Sequence, residues 1–278
     1  MAEMRVDAWN IDVGVTAKDA DDYGNQLLNC VEGSWDDGAD VVLLPEYCWL
    51  GAEPYTENVE EWFWKVFWPA ERARVLRPGK AVVLGTVPSA KNNRAVITAD
   101  SRELHQDKLA LTPWESNFTG GTELNIWKLG DVTLAVLVCL DIEIPEWSCL
   151  LRGANVDVLL VPSATETLMG VERIARCASA RAVELGCAVV TAHLVGKCQS
   201  ELIDHNIGRS ALYLPSLAAT HRAARVSESN VIEQGMVCQK LEIDIQRVRR
   251  CRINTGETNP ALFGPARGLP SPVLTLNP

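Results

Sequence analysis

Three short stretches of the chain place a reactive side chain just after an apolar run. In "VVLLPEYCW" Glu46 follows the run 41–44, with Pro45 ending the strand ladder. In "ELHQDKLALTPWE" Lys108 stands near the end of a strand-like run and Glu115 comes shortly after it. In "VTLAVLVCLD" Cys139 closes a third run. Each has an ordinary reading when taken alone: a solvated acid, an exposed lysine, a packed thiol. Together they form a chemical set. A free thiol, with a pKa of about 8.5, is mostly protonated at neutral pH, so a cysteine nucleophile needs a base or a cation beside it. A buried glutamate can take that proton, and a lysine can balance the charge and later hold an oxyanion.

Elements that could bring these residues together are legible in the pattern. Apolar runs at 5–13, 41–44 and 81–87 alternate with helix-like segments at 19–36 and 59–76, a βα alternation. Runs at 94–98, 103–109, 124–129 and 132–138 follow with only turns between, at Asn92-Asn93, Asp100-Ser101 and Gly130-Asp131, and read as hairpins. A second series has strands at 156–161 and 187–193 flanking a helix at 171–185, then strands at 209–214 and 236–243 and a short helix at 244–250. In open α/β sheets, side chains converge in a crevice at the carboxyl ends of the strands. Residues 1–253 read as one domain. Residues 254–278, with five Pro, three Gly and no periodicity, read as an extended arm or tail.

Composition narrows the partners. Of 278 residues, 47% are hydrophobic and 22% charged, the usage of a folded soluble protein. The balance of 26 basic against 36 acidic residues gives −10, with no dense Lys/Arg cluster, which argues against nucleic acid. No apolar run approaches the roughly 18 residues of a membrane span, and the start MAEMRVDAWN has no signal-like pattern, so cytoplasm is the expected address. Nine scattered cysteines without CxxC spacing argue against a disulfide framework and a zinc site.

The stretches "LLPEY", "DKLALTPWE" and "LVCLDIEIPEW" resemble the Glu, Lys and Cys motifs of the nitrilase superfamily, the carbon-nitrogen hydrolases. The likeness runs on through "DVLLVPSATETLMGVERIARCASARAVELGCAVVTAHLVG" and "GRSALYLP" and covers most of residues 5–243. It implies an αββα sandwich, doubled to αββααββα in a homodimer or a higher homo-oligomer. It implies Glu46 as general base, Lys108 as electrostatic support, Cys139 as nucleophile and Glu115 as a second glutamate that positions the lysine and the attacking water. The backbone N–H of Leu140 and Lys108 would form the oxyanion hole, and the implied chemistry needs no metal and no organic cofactor. The implied reaction is hydrolysis of a small-molecule amide through a thioester at Cys139, with nitrile hydrolysis and amide-forming acyl transfer as alternatives on the same intermediate. A catalytically silent binding or scaffold protein is the alternative from another class.

The chain also departs from the family pattern. Many members read Cys-Tyr-Asp-x-Arg-Phe-Pro-Glu, whereas this chain has Glu143 at the arginine position, as one less characterised branch does. Glu143 is therefore a candidate for meeting a cationic substrate group, with a structural ion pair as the competing reading. That branch also carries a segment like Pro162 to Glu166, which brings Ser163 and Thr165 among the candidate substrate contacts. Tyr47, Trp49, Trp114 and Trp147 lie within a few residues of the reactive set and could wall a pocket. Trp62, Trp64 and Trp68 read as packing. Arg173, Arg176 and Arg181 read as a mostly solvated or interface face, and His193 as a hydrogen-bonded core residue.

Overall fold

The computed structural model describes residues 3–253. In chain order it contains β1 (Glu3–Asp12), α1 (Ala20–Asp36), β2 (Val41–Leu44), α2 (Val59–Glu61), α3 (Trp68–Glu71), β3 (Ala81–Ser89), β4 (Asn92–Ala99) and β5 (Arg102–Asp107). It continues with β6 (Ile126–Leu129), β7 (Val132–Val136), α4 (Pro145–Leu151), β8 (Val158–Ser163), α5 (Leu168–Leu185) and β9 (Ala188–Lys197). Last come β10 (His205–Asn206), β11 (Ala211–Tyr213), β12 (Val226–Glu228), β13 (Val237–Asp244) and α6 (Ile245–Ile253).

The strands make two faces. One runs β13-β1-β2-β3-β4-β5 and the other β6-β7-β8-β9-β11-β12, joined where Ile11 of β1 pairs in parallel with Leu194 of β9. The alternation within β2 shows how they are packed. Val41 and Leu43 enter a core shared with Leu134 and Val136 of β7, while Val42 and Leu44 enter a second core with Tyr23, Leu27, Leu28 and Val31 of α1. On the far side of β8 and β9 lies α5, whose Ile174, Ala178 and Ala182 join the first core. The result is the expected four-layer mixed α/β sandwich.

Both long helices carry their boundaries in the sequence. Asp19 accepts the Asp22 N–H at 2.7 Å to open α1, and Thr167 accepts the Gly170 N–H at 3.1 Å to open α5, which stops at Gly186 with φ +59°. The single helix expected over 59–76 is instead broken into α2, a π turn at Trp62–Phe67, α3 and a 3-10 turn at Arg72–Arg74. Pro69 supplies no N–H, and the wide turn lets Trp62, Phe63, Phe67 and Trp68 all face inward, with Phe63 stacked on Trp68 at 5.8 Å. No described helix is long and apolar enough to cross a membrane.

Two further readings are corrected. The turn between β3 and β4 is made by Ala90 and Lys91, both at positive φ, so Asn92 and Asn93 belong to β4. Arg181 is not on the solvated face of α5: it is 5% exposed, and its Nε donates to the Ile142 carbonyl at 3.1 Å. The arm expected at 254–278 lies outside the described residues.

Candidate active site

The chain leaves β2 through Pro45 into Glu46, and Tyr47 adopts φ +58°, held by its N–H on Thr86 Oγ1 at 2.9 Å. This sharp exit needs space behind it. Gly85, at φ +68°, supplies it, since a Cβ there would sit 2.0 Å from the Pro45 carbonyl oxygen. Lys108 is the first residue after β5, its N–H on the Asn93 carbonyl at 2.8 Å. A 3-10 turn at Pro113–Glu115 aims Glu115 back, its Oε2 accepting from Thr112 N at 2.8 Å and Thr112 Oγ1 at 2.9 Å. Cys139 opens another 3-10 turn with φ +49°, a left-handed conformation that costs energy for a non-glycine residue and recurs at functional sites.

These four side chains meet. Lys108 Nζ donates to Glu46 Oε1 and to Glu115 Oε2, each at 2.8 Å, with all three groups almost fully buried. Asn93 Nδ2 donates to the other Glu115 oxygen and to Glu46 Oε1, each at 2.8 Å, and the Tyr47 hydroxyl adds a bond to Glu115 Oε1 at 2.7 Å. Ala164 links base and thiol: its N–H donates to Glu46 Oε2 at 3.0 Å, and its carbonyl accepts the Cys139 Sγ–H at 3.4 Å. Glu46, Lys108, Glu115, Cys139 and Leu140 line one cavity of about 190 Å³. That is smaller than the few hundred Å³ of a typical drug-sized site, so it suits a small substrate.

The electrostatics follow from burial and from the single cation. Burial raises the Glu46 pKa against the pull of Lys108, and the Glu115 charge adds to the rise. Burial also works against the Lys108 ammonium, but Glu46, Cys139 and Glu115 outweigh it and hold the lysine charged. For Glu115, burial is overcome by Lys108 and by bonds from Thr112 and Tyr47, so it stays below the ordinary carboxylate range. Burial and the neighbouring Glu46 push the Cys139 thiol up, with Lys108 opposing. The resting cysteine is a thiol beside a proton acceptor and a fixed positive charge.

Of the other expected contacts, Tyr47, Trp114, Glu143 and Thr165 line the cavity. Glu143 also accepts from Arg173 Nε at 3.2 Å, so the structural ion pair is present, and Arg173 itself reaches the cavity wall. Trp49, Trp147 and Ser163 do not line it. The turn Cys48–Tyr55 rotates Trp49 to the other side of the sheet, where its ring packs 4.7 Å from Phe63 and its Nε1 donates to the Leu84 carbonyl at 2.6 Å. Trp147, on α4, is half-buried against the core that β8 and α5 share. Ser163 still belongs to β8 and is fully buried, one residue short of the crevice. Leu202, Ile203 and Asn206 line the cavity unannounced, because they come from a segment with no chemical pattern of its own. Asn93 was also missed, since Asn-Asn is ordinary turn chemistry. Among the described residues no cluster of three or more His, Cys, Asp or Glu is placed to hold a metal ion.

The fold and the pocket define an α/β protein with a buried Glu, Lys, Glu and Cys set. A family description, Carbon-nitrogen hydrolase, matches residues 12–252, and the chain belongs to that family. Among solved structures it is similar to Nit3 of Saccharomyces cerevisiae, a member of branch 10 of the nitrilase superfamily, with TM-score 0.70 and 18% identity over 93% of this chain and 96% of that one. It is similar to an amidase from Nesterenkonia sp., with TM-score 0.65 and 18% identity over 88% and 92% of the two chains. Over 149 residues, 52% of this chain, it is 29% identical to a protein called Probable hydrolase YhcX of Bacillus subtilis (strain 168). That match spans only 29% of the relative's length.

Proposed function

We propose that the protein hydrolyses a small-molecule amide through a thioester on Cys139. The observation that carries this reading is the convergence of Glu46, Lys108, Glu115 and Cys139 on one small cavity, with the thiol on a left-handed turn. Structural likeness to amidases supports amide over nitrile. As the sulfur attacks the amide carbon, Glu46 takes the thiol proton, and Lys108 and the Leu140 N–H stabilise the oxygen that becomes charged. Glu46 then protonates the departing ammonia or amine as the C–N bond breaks, leaving the acyl group on sulfur. Glu46 next draws a proton from a water as it attacks the acyl carbon, then returns that proton to the sulfur as the C–S bond breaks and the acid is freed, with Glu115 keeping the lysine aligned. Tyr47, Trp114, Glu143 and Thr165 form the wall that reads the acyl group. Pairing of two copies across an αββααββα interface belongs to the same reading.

The test is a panel of short aliphatic amides, with ammonia release followed and the Cys139 peptide weighed after rapid quenching. Ammonia release with an acyl adduct on Cys139, both lost in Cys139→Ala and Glu46→Gln, is the expected result. A parent protein that turns over no amide and never carries an acyl group at Cys139 would sink the proposal.

A further inference from the structure

The proposed chemistry leaves one buried acid of the Cys139 turn without a task. Asp141 is wholly buried, and its carboxylate accepts four hydrogen bonds from three backbone N–H groups. Two belong to the residues just after Lys108: Leu109 N lies 3.1 and 3.2 Å from the two oxygens, and Ala110 N lies 2.7 Å from Oδ1. The third is Val138 N, just before Cys139, at 3.1 Å from Oδ2. The Asp141 N–H in turn donates to the Val138 carbonyl at 3.0 Å, which closes the turn over the left-handed Cys139.

We propose that Asp141 is a positioning residue that clamps the chain carrying Lys108 to the turn carrying Cys139, and so sets the lysine against the sulfur. A turn cap alone would need only the Val138 contact. The bonds from Leu109 and Ala110 cross more than thirty residues of chain and tie the cation's backbone to the nucleophile's. Arg181 of α5 braces the same turn from outside through the Ile142 carbonyl. Lys108 is the charged side chain that acts on Asp141. Burial pushes the Asp141 carboxyl up to about 6 despite Lys108 and the three N–H donors. Protonation turns one acceptor oxygen into an O–H, which cannot face an N–H donor, so the clamp loosens on the acid side.

This inference rests on Cys139 being the nucleophile, and its test needs no natural substrate. p-Nitrophenyl acetate serves as the probe: the Cys139 thiol gives its proton to Glu46, the sulfur forms a bond to the acetyl carbon, the ester C–O bond breaks, and p-nitrophenolate leaves with the electron pair. The burst rate and the mass of the Cys139 peptide are measured from pH 5 to 8 in the parent, Asp141→Asn and Asp141→Ser. A misplaced reacting group can cost about a hundredfold, so bursts roughly ten- to a hundredfold slower are expected, with little change in half-saturation. An inflection near pH 6 in the parent should be absent from both variants. Equal rates and profiles in folded variants would overturn the clamp alone. No acetyl group on Cys139 of the parent would overturn the nucleophile assignment, and the clamp with it. Should neither variant fold by circular dichroism, hydrogen exchange of the Leu109, Ala110 and Val138 amides is measured in the parent at pH 5 and 7 against their intrinsic rates. Protection that falls at pH 5 at these three amides supports the clamp, and equal protection at both pH values overturns it.

Discussion

The side-chain amide of Asn93 donates to Glu46 Oε1 at 2.8 Å, and by doing so it fixes which oxygen of the proposed base is free to meet the thiol. Lys108 occupies the same oxygen, so Oε2 is the one turned toward Ala164 and Cys139. A donor to a carboxylate favours its ionised form, which works against the upward push of burial on Glu46.

Replacing Asn93 with Leu keeps the branch point and the number of side-chain heavy atoms and removes that donor. The Glu46 pKa should climb further, so the acid limb of the pH profile for kcat/KM moves to higher pH. At neutral pH kcat/KM should fall at least roughly tenfold, since bonds to both Glu46 and Glu115 are lost and each hydrogen bond to a charged group is worth about 1.5–3 kcal/mol. An unmoved acid limb in a folded Asn93→Leu protein would show that Asn93 does not act on the base.

Lys108 is the shared cation of two buried carboxylates, each 2.8 Å away. Removing one partner of a buried ion pair costs about 3–5 kcal/mol, because the remaining charge stays buried without compensation. Lys108→Met should therefore lose activity and lower the urea midpoint. The loss of stability should be larger at pH 8 than at pH 5, since protonation relieves the stranded Glu46. An equal loss relative to the parent at both pH values would mean the two carboxylates do not feel the lysine.

Trp49 tests how proximity in sequence translates into space. It stands three residues after Glu46, yet its ring lies among Trp62, Phe63 and Phe67 on the far side of the sheet. Trp49→Ala should cost about 3–5 kcal/mol of stability, as large-to-small changes in a core do, while residual folded protein keeps its kcat. A kcat that falls with stability unchanged would return Trp49 to the pocket.

The same residue shows what was legible in the chain and what was not. β2, α1 and the strand ends bearing Glu46 and Cys139 could be read because apolar runs and period-3.6 faces are local signals, whereas α5 starts at Leu168 on its Thr167 cap, three residues before the expected 171. The backbone rotation after β2 is not local: the left-handed Tyr47 needs Thr86 and Gly85 of another strand, and it decides that Tyr47 faces the cavity while Trp49 leaves it. Asn93 was hidden for a related reason. A turn at Ala90-Lys91 and one at Asn92-Asn93 differ by a two-residue register, and only pairing with β3 and β5 selects the first. Arg181 has the spacing of one more surface arginine, and only the tertiary approach of the Ile142 carbonyl to its guanidinium draws it inward.

His193 gives the last prediction, and its sign runs against that of Glu46 and Asp141, whose carboxyls burial raises. Its ring is buried, with Nδ1 on the Arg209 carbonyl at 2.7 Å, and burial lowers its pKa to about 4 from 6.5. The site has no room to relax: a Cβ on Gly208 would lie 2.1 Å from His193 Cβ. Between those values the unfolded chain binds a proton that the folded one refuses, so stability present above pH 6.5 is lost as pH falls toward 4. At 1.36 kcal/mol per pH unit the loss is roughly 3 kcal/mol. Asp141, raised to about 6, acts the opposite way in part of this window, because the folded state binds its proton more tightly. The difference between His193→Gln and the parent isolates the imidazole from that opposing term. Urea midpoints at pH 7.5 and 4.5 should therefore drop less in the variant than in the parent, and an equal drop in both would mean that His193 is charged inside the fold.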